Sequence, residues 1–318
     1  MSLVEELERI PLSRFHYILL LVVGIPYTFV AMDLLLISQA LPLLRGEWGL
    51  PGELTGFLAG SVFIGMFIGA ASWGYLADLM GRKKALELTI FIYTFFTGLS
   101  SLAWNWPSMI LLRILTGIGL GGCIPLCFVF LAEYIPAERR GRFLVLLDSF
   151  WAYGWILAAL LGYLVIKPLG WRCFFLTGGI PIITLPLIHT MLPESIRYLE
   201  EKGLTEEAQR ILTSIKRKAG VISPDGGKGS RSMEVRVKDL WSKPYRRRTA
   251  FTWIMWFTMV YGYYSLFLWI VSFMGSMGLP VPTALWYALL TSLAQIPGYF
   301  SAAWLIEAWG RKPTLTLY

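Results

Sequence analysis

Apolar positions fill the chain in long blocks, at residues 16–44, 54–80, 85–105, 108–132, 143–166, 172–192, 249–275 and 283–308. Each is near or above the about 20 residues that an α-helix needs to cross a bilayer. The pattern predicts eight membrane-spanning helices, six before a long polar stretch and two after it. Residues 2–13 form a short amphipathic segment, with Ser2 and Glu5 at capping-box spacing and Leu3, Leu7 and Ile10 on one helical face; it is expected to lie along the membrane surface. In the polar stretch, Leu204, Ala208, Ile211, Leu212 and Ile215 recur at helical spacing against Glu206, Glu207, Lys216 and Arg217, which predicts a surface helix resting on the spans above. Ser223 to Ser230 is Gly-rich and reads as a linker. Val237 to Arg248 returns the chain to the membrane with a basic and aromatic anchor. The expected organisation is a six-helix bundle over 1–192, a linker over 193–248, and the start of a second bundle over 249–318.

Composition agrees with the pattern: 56% of residues are hydrophobic, 15% are charged and the mean hydropathy is +0.60. These values identify an integral membrane protein. The net charge of +8 would suit a nucleic-acid binder only if the cations formed a patch. Instead, with the N-terminus inside the cell, 24 of the 28 Lys and Arg fall in segments on the cytoplasmic side. The positive-inside rule therefore assigns the N-terminus and the 193–248 loop to the cytoplasm of a cell membrane, and the charge is topology rather than a nucleic-acid footprint. Trp48, Trp104, Trp106 and Trp171 lie in or beside the opposite loops, as an interfacial belt would. Cys123, Cys127 and Cys173 all fall in apolar runs and read as packing residues, and neither histidine has a partner at ligand spacing. No metal or cofactor is expected. Without a metal cluster, a Ser and His arrangement or a phosphate loop, the residues do not support an enzyme.

Two polar motifs interrupt the pattern in the same way. Gly74 to Lys84 places Asp78 three residues before Gly81-Arg82-Lys83, and Ala303 to Pro313 places Glu307 three residues before Gly310-Arg311-Lys312. An acid and a basic cluster between two spans read as a gate hinge, and its recurrence suggests a duplicated membrane protein.

These residues resemble the major facilitator superfamily. Gly74 to Lys84 is similar to that superfamily's loop between helices 2 and 3. Arg113 to Gly122, Glu133 to Gly141 and Pro193 to Leu199 resemble its sugar-porter-like branch. Leu7 to His16, Ala31 to Asp33, Leu147 to Gly154 and Tyr261 to Ser265 resemble metabolite:proton symporters related to niacin and aromatic-acid carriers and to the synaptic vesicle protein group. Helix 7 lacks the paired glutamines and following asparagine of a true sugar porter, which weakens the case for a hexose. Such families have twelve helices, so the chain is expected to hold an all-α major facilitator fold cut after the eighth, as a fragment or a natural truncation.

Asp33 lies deep in the first span. A carboxylate at the bilayer centre costs about 2.5 to 3.5 kcal/mol on insertion scales, so it is expected to face a cavity and find a partner or a proton. The resemblance implies proton coupling through Asp33, with Arg113 as the responding cation; a structural ion pair is the alternative. Asp148 is either a second proton site or an answer to the arginines near it. The expected gate set is Asp78, Arg82, Glu133, Arg140 and Arg142, with Glu307 and Arg311 from the second motif. Gln39, Trp151, Tyr153, Tyr261, Tyr264, Trp269 and Gln295 are polar or aromatic groups within spans suited to a small cyclic or carboxylated solute. Gly117, Gly119, Gly121 and Gly122 permit close helix approach. The reading is proton-coupled secondary transport of a small organic metabolite by a monomer in the bilayer, with alternating access between two bundles. A uniporter, an antiporter and a non-transporting sensor on the same scaffold are the alternatives.

Overall fold

The computed structural model describes residues 3–220 and 242–317. Ser2, the 223–230 linker and the first part of the 237–248 anchor lie outside them. The described residues are almost wholly helical, and among them there is no strand.

The first four apolar runs become α2 (Arg14–Trp48), α3 (Gly52–Met80), α4 (Arg82–Ser100) and α5 (Trp106–Tyr134). The fifth becomes α6 (Arg140–Leu161), which continues through a π-helical turn at Gly162–Ile166 into α7 (Lys167–Thr177). The turn between passes falls at Gly170, whose φ of 77° only glycine adopts readily. The sixth run is not the single helix expected over 172–192. It is the second part of α7, a 3-10 turn at Ile180–Ile183 and α8 (Thr184–Met191). Gly178, Gly179 and Pro181 account for the break, since proline offers no backbone donor and cannot continue the helix before it. The seventh run is a bent pair, α11 (Arg246–Phe267) and α12 (Ile270–Ser276), crossing at 46°. The eighth is α13 (Val281–Ala308), followed by α14 (Arg311–Leu317).

Close packing follows from small residues. Gly65 and Gly69 of α3 face Gly117 and Gly121 of α5, and a Cβ on any of the four would run into the opposite backbone, at Ile114, Ile118, Val62 and Met66 respectively. This is the small-residue approach by which membrane helices gain contact in a solvent as apolar as themselves. α5 thus lies against α3 and α4, while α2 lies against α6. α13 packs on α6, and α12 touches α2.

At the end of the bundle that carries Gly81, α1 (Leu3–Glu8), α9 (Ile196–Glu201) and α10 (Thr205–Ala219) form a small layer. Leu3, Leu7 and Ile10 are buried with Leu199, Ala208, Leu212 and Ile215, and Lys216 pairs with Glu6. Leu204 departs from the expected apolar face: it sits at the N-cap of α10 and is exposed.

Candidate transport site and gate

Asp33 and Arg113 come from α2 and α5, and both are 1% exposed. Arg113 Nη1 donates to Asp33 Oδ1 at 3.0 Å, and the Thr97 hydroxyl of α4 donates to Asp33 Oδ2. The other guanidinium nitrogen, Nη2, donates to Ser100 and Thr116 hydroxyls at 3.0 Å each. The guanidinium also lies 5.0 Å from the Phe175 ring centroid. Three helices therefore supply one charge pair and its hydrogen bonds, the arrangement a buried ion pair needs to offset desolvation. Thr97, Ser100 and Thr116 escaped the sequence reading. The available signal was that hydroxyl residues recur within the same apolar runs that must house a partner for Asp33 and Arg113.

Asp148 is placed differently. Among the described residues no cation pairs with it. The arginines at the start of α6 bind elsewhere. Instead, the Tyr27 hydroxyl of α2 donates to Asp148 Oδ1 at 2.9 Å. Tyr263 and Tyr264 of α11 and Tyr299 of α13 lie within its electrostatic reach. Tyr27 is 5.3 Å from Trp151, ring to ring, and Trp155 is 5.1 Å from Tyr263 and 4.9 Å from Phe267. Tyr263 donates to Gln295 Oε1 at 3.1 Å. Residues from α2, α6, α11 and α13 thus build an aromatic wall around one carboxylate. Beside it runs a crevice lined by Gln39, Trp155, Phe267 and Ser292, with room for about one water (10 Å³).

The other residues expected at a substrate site separate into groups. Tyr264 packs edge-on against Phe63 of α3 at 5.0 Å. Gln39, oriented to satisfy both ends of its amide, donates to the Ala158 carbonyl at 3.1 Å and accepts from Ala159 N–H at 3.2 Å on α6. Trp269 is half-buried at the junction of α11 and α12. Tyr153 is 39% exposed, and Tyr261, 67% exposed, stacks on Phe257. The structure does not bring the last two together with the aromatic wall. Tyr27, Trp155 and Tyr263 stand there instead, on the turns that α2, α6 and α11 direct inward.

At the Gly81 end, Arg82 donates to Asp78 at 2.6 Å and its Nε stands 3.6 Å from Glu133. The two acids of the expected gate set, Asp78 and Glu133, meet the same arginine. Glu133 also accepts from the Ser195 hydroxyl at 2.5 Å. Glu194 Oε1 accepts from Lys83 N–H at 3.1 Å and Ser195 N–H at 2.9 Å, and Tyr198 donates to the Leu79 carbonyl at 3.1 Å. The Pro193 to Leu199 motif therefore clamps the loop that the first polar motif forms. A Cβ at Gly81, whose φ is 99°, would strike Glu194. Burial pushes the Glu194 carboxyl above the ordinary carboxylate range, while backbone N–H groups of Ser195, Lys83 and Arg82 and the Arg82 charge hold it down.

Glu307 of α13 accepts from Arg139 at 2.9 Å and from Arg142 at 3.0 Å. Arg140, expected in this set, turns instead to Glu8 of α1 at 2.8 Å. Arg139 was not singled out because adjacent arginines at a helix start look alike until the helix phase is known. Arg311 opens α14, and its side chain falls outside the described residues. Among the described residues no group of three or more His, Cys, Asp and Glu is placed to hold a metal.

A helical membrane protein with a dry ion pair inside its bundle, a glycine-packed α3–α5 contact and a repeated acidic and basic loop has the construction of a secondary transporter. Comparison with known proteins agrees. Residues 44–317 match the family model for sugar (and other) transporters. The chain is similar to a niacin transporter, NiaP, of Acinetobacter baylyi, 41% identical over 322 residues that cover 99% of this chain and 72% of that protein. It is 30% identical to the synaptic vesicle 2-related protein of Rattus norvegicus over 98% of this chain, spanning 61% of that protein's length. A partially occluded inward-open structure of the xylose transporter XylE from E. coli shares the fold, with a TM-score of 0.74 at 22% identity over 95% of this chain and 73% of that one. The chain belongs to the sugar (and other) transporter family, within the major facilitator superfamily, and is an integral membrane protein.

Proposed function

We propose that the chain carries a small organic metabolite across the cell membrane together with a proton, by alternating access between the bundle of residues 1–192 and the helices that begin at 249. The observation that supports this most directly is the Asp33–Arg113 pair. Asp33 is balanced by Arg113 and Thr97 only while ionised. A proton on Asp33 removes the counter-charge from a fully buried guanidinium, and a lone buried charge is costly enough, about 3 to 5 kcal/mol, to change which conformation is stable. Proton binding is thereby tied to a rearrangement across α2, α4 and α5. A planar carboxylated solute is the substrate class favoured by the aromatic wall and by the niacin transporter relative.

The cation distribution supports placing the Gly81 end in the cytoplasm. There Glu307 joins α13 to the start of α6, so opening that face separates it from Arg139 and Arg142. Exposed ion pairs contribute about 0.2 to 1 kcal/mol each. They bias the equilibrium between states without locking either. The chain functions as a monomer, with the 193–248 loop linking the two sets of helices.

The test is uptake into proteoliposomes with and without an imposed pH gradient. Parent protein is expected to accumulate solute only with the gradient, and Asp33→Asn to exchange solute without accumulating it. Accumulation indifferent to the gradient, or unaltered in Asp33→Asn, sinks the coupling.

A further inference from the structure

A groove of about 680 Å³ runs along the outside of the bundle between α4 and α8. Its walls change character along its length. Lys83 Nζ donates to the His189 carbonyl at 2.6 Å, and His189 Nδ1 stands 3.1 Å from Glu87 Oε1, which sets the start of α4 beside the end of α8. Lys84, Glu87 and His189 therefore line the mouth, at the Gly81 end. Leu88 and Phe91, further along α4, and Leu185, one turn back on α8, line the remainder. Leu88 and Phe91 are exposed, and the helices after the 193–248 loop do not take up this face: α13 is carried by α6 and α12 by α2. An apolar floor that opens outward from a spanning bundle faces acyl chains.

The mouth is positive. Lys84 is exposed and, among the described residues, makes no ion pair. Lys83 spends one of its three donors on the His189 carbonyl. Glu87 opposes an anion here, but His189 engages it, and two lysines outweigh one acid. We infer that this groove binds an anionic phospholipid, with its phosphate on Lys84 and Lys83 and one acyl chain along Leu88, Phe91 and Leu185. Basic pockets between spanning helices at the membrane surface take such headgroups, and one lysine there is worth about fivefold in affinity. A zwitterionic lipid brings no net charge to match the mouth. A free phosphate leaves the apolar floor uncovered. The assignment requires only that the Gly81 end lie at a membrane surface, and it is independent of the solute carried and of proton coupling.

The probe is phosphatidylglycerol with a diazirine in one acyl chain, photocrosslinked to the full chain in phosphatidylcholine vesicles, with the labelled residues mapped by peptide mass spectrometry. Label is expected to concentrate on Leu88, Phe91 and Leu185 over other lipid-facing residues. Unlabelled phosphatidylglycerol should displace it about fivefold or more effectively than phosphatidylethanolamine at equal mole fraction. Lys84→Gln, a change at an exposed position, should lower the effectiveness of phosphatidylglycerol about fivefold and leave that of phosphatidylethanolamine within about twofold. Leu88→Trp, which fills the groove, should remove the label from Phe91 and Leu185.

Four results overturn the site: label spread evenly over the lipid-facing residues, equal displacement by the two lipids, labelling and displacement unaltered in Lys84→Gln, or displacement by soluble glycerol phosphate as effective as by phosphatidylglycerol. The last would show an anion site without a lipid.

Discussion

Asp33 and Asp148 are both carboxylates within membrane-spanning helices, but their surroundings are built on opposite terms. Around Asp33, Arg113, Thr97, Ser100 and Thr116 close a set of charge-assisted bonds drawn from three helices of one bundle. Around Asp148 there is one hydroxyl, a wall of aromatic rings and, close by, two N–H groups without a partner among the described residues. The first site satisfies both carboxylate oxygens and both terminal guanidinium nitrogens, with Arg113 Nε left without a partner among the described residues. The second is incomplete, and its walls come from both parts of the chain, so a solute there would feel their relative motion. On the proposed reading, the proton and the solute would then occupy separate networks.

The comparison is broken most severely at Arg113. Arg113→Leu leaves Asp33 buried without its counter-charge and is expected to cost about 3 to 5 kcal/mol of stability, while pairing it with Asp33→Leu should recover most of that loss. Thermal unfolding in detergent measures both. Next in size, Thr97→Val removes a hydrogen bond to an ionised group and should cost about 1.5 to 3 kcal/mol, whereas Thr97→Ser should stay near the parent. Tyr27→Phe at Asp148 should cost less, because that site is less dry.

Smaller still is the gate. Glu307→Gln is expected to shift the balance of open and closed states by no more than about 1 kcal/mol per lost pair, and the shift should shrink in high salt. Spectroscopic distance between labels on α6 and α13 reads it. Last is the clamp at Glu194. Because burial raises this carboxyl, the fold favours its protonated form. The stabilisation from protonation is full below the unfolded pKa and is lost as pH rises through the folded one. Glu194→Gln, which still accepts from Lys83 and Ser195, should therefore unfold at a higher temperature than the parent at alkaline pH. The difference should vanish as pH falls through the raised pKa. A variant less stable than the parent at all pH values would show that the charge itself holds the clamp.

Much of this architecture was legible in the chain because a membrane constrains sequence strongly. A lone acid and a lone arginine in apolar runs had few places to go except toward each other. The sixth run shows the limit: hydropathy counted it as one helix, while Gly178, Gly179 and Pro181 divide it. The gate shows another. Asp78, Glu133 and several arginines were all visible, but which arginine meets which acid depends on helix phase and on where α9 folds back. Thus Glu194 and Arg139 went unnoticed, and Arg140 proved to serve α1.

The sequence by itself determined the all-helical membrane class, the uneven spread of charge along the chain, the repeated Gly-Arg-Lys loops and the need for a partner at Asp33. Each of these depends on local transfer energies and spacing along one helix. Only the tertiary structure decided that Thr97, Ser100 and Thr116 complete the ion pair, that the Pro193 motif locks the Gly81 loop, and that Trp155 and Gln295 meet at Tyr263 with their donors unused. Those are relations between helices distant in sequence. They depend on the angular position of each side chain around its axis, which packing of glycine against backbone sets and hydropathy does not record.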